Sequence, residues 1–264
     1  MNTKQTITNR AGLKIVMVIE SQDDTADKLA FVAHGQKGSK DQPHIQAFAR
    51  AFLDNGYIVV RFDATHSVGE SEGDLFDVTY DTYISDLEDV IEWARTQDWF
   101  KQPFALSGHS MGAQSTAWYA EHHPEEVSLL ATMAPVINYE LLSSTMDPNE
   151  FELYKQRGYK ESPSSSRPGV VHKIGWACQE SLKKFDLLPL AHNLTMPVLD
   201  IVGSQDEPCP PAHQELLMQK IPGEKELIVV DGLQHSYRNA KTDQIDDGLA
   251  KVETEMTTWV RKHS

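Results

Sequence analysis

Residues 104–113 read FALSGHSMGA, and this stretch predicts a strand, a tight turn and the start of a helix in succession. Its first three residues are an apolar run typical of a buried strand. The run leads directly into Gly108-His109-Ser110-Met111-Gly112, which matches the pattern G-x-S-x-G, and residues 113–121 then have helical character. A serine at a tight turn between a buried strand and a helix is typical of a nucleophile elbow, which exposes the serine hydroxyl at the sheet edge. We therefore predict that Ser110 is a nucleophile.

The same pattern occurs a second time, at Gly69-Glu70-Ser71-Glu72-Gly73. That copy lies in an acidic loop, and no helical stretch follows it directly. Because Gly and Ser are common, the pattern alone is weak, and the strand-to-helix context favours Ser110 over Ser71.

A serine hydroxyl needs a base, and the elbow fold supplies an acid and then a histidine later in the chain. Asp206 follows the apolar run at 198–202 (VLDIV), and His235 follows the run at 226–230 (ELIVV). Open α/β sheets bind ligands at the carboxyl ends of their strands, where both residues are expected. We predict His235 as the base and Asp206 as the acid that orients it. Glu207 and Asp231 remain open as the acid.

Acyl transfer also requires donors for a developing oxyanion. The backbone N–H of Met111, directly after the nucleophile, is predicted as one donor. The second is predicted from the loop after an early strand, and the N–H of Gln36 in His34-Gly35-Gln36 is the candidate. A plain glycine-rich turn is the alternative interpretation of this loop.

The other apolar runs alternate with amphipathic stretches, which predicts a mostly parallel sheet with helices on both faces. The further predicted strands are 14–20, 29–33, 57–62 and 128–133, and the further predicted helices are 43–54, 80–95 and 248–261.

One segment, residues 138–193, has no buried strand run. Within it, 148–157 and 176–185 are predicted as short helices and 161–169 (ESPSSSRPG) as a loop. We predict one domain over 1–264 in which this segment is a cap-like insertion. The predicted substrate contacts are His34, Gly35 and His109, together with Tyr139 and Trp176 of the insertion. The alternative for the two aromatic residues is that they hold the insertion onto the sheet.

Composition excludes several classes of function. The net charge of -15 disfavours binding to nucleic acid and anionic lipid headgroups. The two cysteines form no disulfide framework and fit no metal motif, and His122-His123 is interpreted as a surface pair, so no metal is predicted.

No apolar run reaches the ~18 residues of a membrane span, and the polar start shows no signal peptide, so a cytoplasmic location is predicted. The sequence does not indicate the oligomeric state.

Together these motifs resemble the α/β-hydrolase superfamily from about residue 12 to 262. The resemblance rests on His34-Gly35 and on residues 61–63 (RFD), 69–73 (GESEG), 108–112 (GHSMG), 203–206 (GSQD) and 234–235 (QH). It is strongest to small serine esterases, including feruloyl (cinnamoyl) esterases and monoacylglycerol-lipase-like enzymes. It implies an eight-stranded, mainly parallel sheet, no cofactor and a small-molecule ester substrate. Two departures from those esterases are Gln36, where an aromatic residue is common, and residues 64–68 (ATHSV), where they often have Arg-Gly-His-Gly-x-Ser.

The predicted function is therefore a carboxylic ester hydrolase that acts on small acyl or aromatic-acid esters through an acyl-enzyme. A thioesterase, amidase or peptidase with the same triad remains open, because these enzymes share the triad chemistry. A non-catalytic binding protein of this fold is a further alternative, although such proteins usually lack a triad member. Ser110 argues against halide- or epoxide-processing enzymes, which usually carry Asp at the elbow.

Overall fold

The computed structural model describes residues 1–23, 25–164, 169–237 and 248–264. Its strands are β1 (Asn2–Thr8), β2 (Lys14–Glu20), β3 (Lys28–Ala33), β4 (Tyr57–Phe62), β5 (Phe104–His109), β6 (Val127–Met133), β7 (Tyr159–Pro163), β8 (Val171–Gly175), β9 (Val198–Gly203) and β10 (Lys225–Val230). Its helices are α1 (Pro43–Leu53), α2 (Tyr80–Ala94), α3 (Met111–His122), α4 (Tyr139–Ser144), α5 (Pro148–Arg157), α6 (Ala177–Leu182), α7 (Pro211–Lys220) and α8 (Gly248–His263).

Eight strands form one sheet in the order β1-β2-β4-β3-β5-β6-β9-β10. The strands from β4 to β10 in this order pair in parallel, and β1 and β2 pair antiparallel at one edge. The prediction of an eight-stranded, mostly parallel sheet with helices is confirmed.

The alternation of side chains along the central strands divides the core into two layers. In β3, Leu29 and Phe31 pack into the layer that contains α2 and α3, whereas Ala30 and Val32 pack into the layer that contains α1 and α8. Both faces of the strand are thus covered by helices. This explains why the central strands appear in the sequence as continuous apolar runs rather than as alternating ones.

Several helices and strands outside this core were not predicted from the sequence. Strand β1 is a polar edge strand with no buried side chain, and α7 was not predicted. The loop prediction for 161–169 is wrong over its first part, because β7 and β8 form an antiparallel hairpin; residues 165–168 lie outside the described part of the chain. The hairpin pairs with itself rather than with the main sheet and exposes much of its surface, so it carries no apolar run.

The parallel strands bring four loops to the same edge of the sheet. The loop after β3, the turn after β5, and the loops after β9 and β10 all lie at the carboxyl ends of their strands. The segment from α4 to α6, between β6 and β9, contributes side chains to the cavity at this edge. Within the described residues, the helices are too short or too polar to cross a membrane.

Candidate active site

Ser110 occupies a sharp turn between β5 and α3. Its φ of 55° and ψ of -118° lie outside the favoured regions for a non-glycine residue. The backbone hydrogen bonds Ser110 N–H to Met133 O (3.0 Å) and Gln114 N–H to Ser110 O (2.9 Å) hold this conformation. Such strain is found where the surrounding structure over-determines a functional residue. The turn has the form of a nucleophile elbow.

Glycines on both sides allow this turn to pack tightly. A Cβ on Gly112 would lie 2.7 Å from the carbonyl oxygen of Ala33 and even closer to that of His34. A Cβ on Gly108 would lie 2.6 Å from the backbone of Gly112. The start of α3 therefore contacts the end of β3 directly, which brings the loop after β3 next to Ser110.

Ser110, His235 and Asp206 form a continuous chain of hydrogen-bonding atoms. His235 Nε2 lies 3.0 Å from Ser110 Oγ, and His235 Nδ1 lies 2.7 Å from Asp206 Oδ2. The Asp206 side chain is 2% exposed, and its Oδ1 accepts the backbone N–H of Cys209 at 2.8 Å. Both carboxylate oxygens are thus occupied, so the carboxylate is fixed toward the imidazole.

The alternative acids lie elsewhere. Asp231 is exposed and accepts a hydrogen bond from Ser204 Oγ at 3.2 Å, and Glu207 is exposed on the cavity wall. The hydroxyl of Ser71, from the second copy of the pattern, donates to Asp63 O (2.6 Å) and accepts the N–H of Val16 (2.9 Å). Ser71 therefore has a structural partner on each side.

The two candidate oxyanion donors lie beside Ser110. The backbone N–H groups of Gln36 and Met111 have no hydrogen-bond acceptor among the residues that the structure describes. Both residues line the same cavity as Ser110. The Gln36 side chain donates to Cys178 Sγ at 3.1 Å, which ties the loop after β3 to α6. The two N–H groups are therefore available to a ligand at Ser110.

The main cavity has a volume of about 400 Å³ and lies between the sheet edge and the α4-to-α6 segment. Its lining includes Gln36, Lys37, Tyr80, Ser110, Met111, Val136, Leu142, Thr145, Met146, Asp147, Glu150, Tyr154, Lys160, Cys178, Gln179, Glu207, Pro208, Cys209 and His235. A smaller cavity of about 130 Å³ also reaches Ser110 and His235 and is lined by Gly35 and His109. Two cavities thus reach the serine.

The five predicted substrate contacts occupy different places. Gly35 and His109 line the smaller cavity. Tyr139 and Trp176 line neither of these two cavities and instead pack against Phe151, with ring centroids 6.5 and 5.4 Å apart. These two side chains hold the insertion together.

His34 lies beneath the loop that carries Gly35 and is 1% exposed. Its Nε2 accepts the N–H of Ala64 at 3.0 Å, so the proton is on Nδ1, which donates to Gly35 O at 2.8 Å. Burial lowers the pKa of His34, which keeps the ring neutral. Its contacts shape the oxyanion loop rather than the cavity wall.

Sequence reasoning missed the polar wall residues Lys37, Thr145, Lys160 and Gln179. Lys37 directly follows Gln36, so its position in the loop was a usable signal. The other three belong to the insertion, whose approach to Ser110 is not encoded in any periodic pattern.

Burial also sets the charge of several groups around the triad. Burial lowers the pKa of His109 well below its ordinary value, and the charge of His235, whose ring centroid lies 4.7 Å away, lowers it further, so this ring stays neutral. Burial raises the pKa of the Cys178 thiol to about 12. Cys178 and Cys209 are both buried free thiols, and at neutral pH Cys178 is not a competing nucleophile.

Two groups of potential metal ligands occur among the described residues. Asp206, Cys209 and His235 form one group, but the first and last are hydrogen-bonded to each other. The other contains His123, Glu125 and Glu126, and the Glu126 carboxylate already accepts Arg95 at 2.5 Å and Tyr119 at 2.5 Å. In each group one carboxylate, that of Asp206 or Glu126, already accepts hydrogen bonds from protein side chains.

Residues 24–157, about half of the chain, match the family described as Hydrolase_4, serine aminopeptidase S33. The chain belongs to this family. A curated relative is the thermostable monoacylglycerol lipase of Bacillus sp. (strain H-257), 23% identical over 227 residues that cover 80% of this chain and 83% of the lipase. The predicted resemblance to the α/β-hydrolase superfamily is confirmed.

Solved structures show the same fold over the whole chain. Est1E from Butyrivibrio proteoclasticus, solved with bound ferulic acid, superposes with a TM-score of 0.81 at 19% identity and covers 98% of both chains. Mouse alpha/beta hydrolase domain-containing protein 10 superposes with a TM-score of 0.76 at 16% identity, over 99% of this chain and 100% of the mouse chain. The predicted α/β-hydrolase fold is confirmed.

Proposed function

We propose that the protein is a serine carboxylic ester hydrolase that acts on small acyl or aromatic-acid esters through an acyl-enzyme. The observation that carries this proposal is the hydrogen-bonded chain from Ser110 Oγ through His235 to Asp206, which opens onto a cavity of about 400 Å³. In this proposal the chain is one catalytic domain, and residues 138–193 act as a cap over the site.

The first half of the reaction acylates Ser110. Asp206 accepts the Nδ1–H of His235, which leaves Nε2 free to take the Ser110 proton as the hydroxyl attacks the ester carbonyl. The unpaired N–H groups of Gln36 and Met111 stabilise the oxyanion of the tetrahedral intermediate. The intermediate then collapses, and His235 returns the proton to the departing alcohol.

The second half releases the acid. Water occupies the place of the alcohol, and His235 removes its proton as it attacks the acyl-Ser110 carbonyl. The same two N–H groups stabilise the second oxyanion. Ser110 then leaves with the proton from His235, which restores the free enzyme. No cofactor enters either step.

The relatives support an ester as the substrate. One is named as a monoacylglycerol lipase, and Est1E was solved with ferulic acid, an aromatic acid. The wall of the main cavity contains polar as well as apolar side chains, and the polar ones favour a small functionalised ester over a long alkyl chain, because burying polar groups against an alkyl chain costs free energy.

The direct experiment compares Ser110→Ala with Ser71→Ala on 4-nitrophenyl acetate and butyrate. Removing the nucleophile is expected to lower kcat by roughly 10⁴- to 10⁶-fold, while thermal unfolding stays within a few degrees of the wild type. Ser71→Ala is the matched control and should retain catalysis. Retention of wild-type turnover by Ser110→Ala would exclude the proposed nucleophile.

A further inference from the structure

Lys37 is a half-buried cation in the proposed oxyanion loop. It directly follows Gln36 and lines both cavities that reach Ser110. Its Nζ donates to Ser162 Oγ in β7 at 2.6 Å, which links the loop to the insertion. An ammonium has three donors, so this contact leaves two others for a ligand.

Lys160, in β7, is the second half-buried cation on the main cavity wall. Its Nζ lies 5.3 Å from the centroid of the Tyr154 ring, and Tyr154 is itself 2% exposed. The Tyr154 hydroxyl donates to Gly175 O at 2.7 Å, so the ring is fixed. A rigid aromatic face thus orients the Lys160 side chain.

Lys37 and Lys160 line the same cavity, and the positive charge of Lys160 acts on Lys37. Burial lowers the pKa of Lys37, and the positive charge of Lys160 lowers it further. Burial also lowers the pKa of Lys160. Burial therefore makes both charges costly, and for Lys160 the charge of Glu150 offsets part of this cost.

Within the described part of the chain, no carboxylate oxygen lies within 4.0 Å of either Nζ atom. Lys40, a lysine buried elsewhere in the same chain, is different. Its Nζ contacts the carboxylates of Asp41 (2.7 Å), Asp63 (3.1 Å) and Glu70 (2.6 Å). Among the residues that the structure describes, the two half-buried lysines of the proposed active site thus lack the carboxylate contacts that Lys40 has.

Three carboxylates also border the main cavity, but they are exposed. Asp147 accepts the N–H groups of Asn149 and Glu150 at the start of α5, and Glu150 and Glu207 lie at the solvent-facing edge. Water screens exposed charges more strongly than half-buried ones. These carboxylates are therefore screened more strongly than the two lysines, although the charge of Glu150 still acts on Lys160.

We propose that Lys37 and Lys160 form an anion subsite and that the physiological ester carries a carboxylate group, which these two ammonium groups bind while Ser110 attacks the ester carbonyl. This inference rests on the proposed ester hydrolase function. Two ammonium donors match the two oxygens of a carboxylate, and charge-assisted hydrogen bonds to it would offset the cost of burying both charges.

The test uses monomethyl esters of dicarboxylic acids from succinate to suberate. Each is paired with the corresponding monoamide, which has nearly the same shape but no charge, and with a methyl ω-amino ester, which is cationic. Hydrolysis is followed by acid release in a pH-stat. For at least one chain length, kcat/KM for the carboxylate is expected to exceed that for the amide by tenfold or more.

Substitution of the lysines identifies the source of this preference. Lys160→Met and Lys37→Met should each lower the carboxylate-to-amide ratio of kcat/KM at least fivefold, and Lys160→Arg should keep most of it because the charge remains. The matched control is Lys28→Met. Lys28 is also half-buried, also lies over a tyrosine ring, Tyr57 at 5.5 Å, and is outside both cavities, so its removal should leave the ratio unchanged.

The outcomes separate this inference from the function on which it rests. Ester hydrolysis that survives Ser110→Ala would overturn the proposed function. Ser110-dependent hydrolysis that shows no carboxylate preference at any chain length, or that prefers the cationic ester, would overturn the anion subsite alone. A preference that persists in Lys37→Met and Lys160→Met would also overturn it.

Discussion

The Nδ1 atom of His235 lies 2.7 Å from Oδ2 of Asp206, whose other oxygen accepts the backbone N–H of Cys209. The carboxylate is therefore held from one side by the backbone and presents its free side to the imidazole. This relationship fixes which histidine nitrogen carries the proton, and hence which nitrogen faces Ser110.

Asp206→Asn should inactivate the protein without unfolding it. The amide can keep its oxygen on the Cys209 N–H, and its NH₂ group then donates to His235 Nδ1. The imidazole proton is forced onto Nε2, which can no longer accept the Ser110 proton. We expect kcat to fall about 10³- to 10⁴-fold in a 4-nitrophenyl ester assay. The control is Asp231→Asn, which should keep wild-type turnover, and the reverse pattern would assign the acid to Asp231.

Gly112→Ala should lower both stability and turnover. The new Cβ would clash with the carbonyl oxygens of His34 and Ala33, and separating them moves α3 away from the oxyanion loop. We expect a loss of about 2 kcal/mol in the free energy of unfolding, measured by urea titration, together with a fall in kcat.

Gly12→Ala serves as a comparison for this prediction. Gly12 has a φ of 84° and open space around its missing Cβ, so the substitution should cost only ~1 kcal/mol and leave kcat intact. A Gly112→Ala protein with wild-type stability would show that the close contact between α3 and β3 is not required.

Glu121 is predicted to make stability depend on pH. Neither of its buried carboxyl oxygens has a hydrogen-bond partner among the described residues, and burial, with a smaller contribution from Asp186, raises its pKa to about 9. The group is protonated in both states below its unfolded pKa of ~4.5. As the pH rises from ~4.5 to about 9, only the unfolded state ionises, so the folded state progressively loses stability.

The substitution Glu121→Gln removes this ionisation. It should raise the free energy of unfolding at pH 8 by a few kcal/mol, on the order expected for a buried carboxyl, and by much less at pH 4. Urea titrations of the two proteins at both pH values measure the difference. Equal gains at pH 4 and pH 8 would show that folding does not change the pKa of Glu121, which contradicts this prediction.

How much the sequence could predict depended on whether an element is covered on both faces. Strands β3 and β4 are buried on both sides and appear as apolar runs, so their positions were predicted closely. Strand β1 lies at a sheet edge with polar side chains, and the β7–β8 hairpin pairs only with itself. Neither has the apolar pattern from which a strand can be recognised.

The predictability of the site residues also depended on whether they follow a buried strand. Ser110, Asp206 and His235 could be predicted because each follows a buried strand, and parallel strands bring their carboxyl ends to one edge. Lys160 has no such signal, since it lies in the β7–β8 hairpin, which was not predicted and of which residues 161–163 were interpreted as loop. Tyr139 and Trp176 were predicted to face substrate because they are aromatic, but aromatic residues also pack with each other, as both do with Phe151.

Covalent labelling of the native protein with a fluorophosphonate is the direct test of whether Ser110 is an activated nucleophile. Only a serine activated by a base reacts readily with this reagent. Digestion and mass spectrometry should locate one adduct on the peptide that contains Ser110, and Ser110→Ala should remove it while Ser71→Ala retains it. An adduct on Ser71, or no adduct on a protein that hydrolyses esters, would show that Ser110 is not the activated nucleophile.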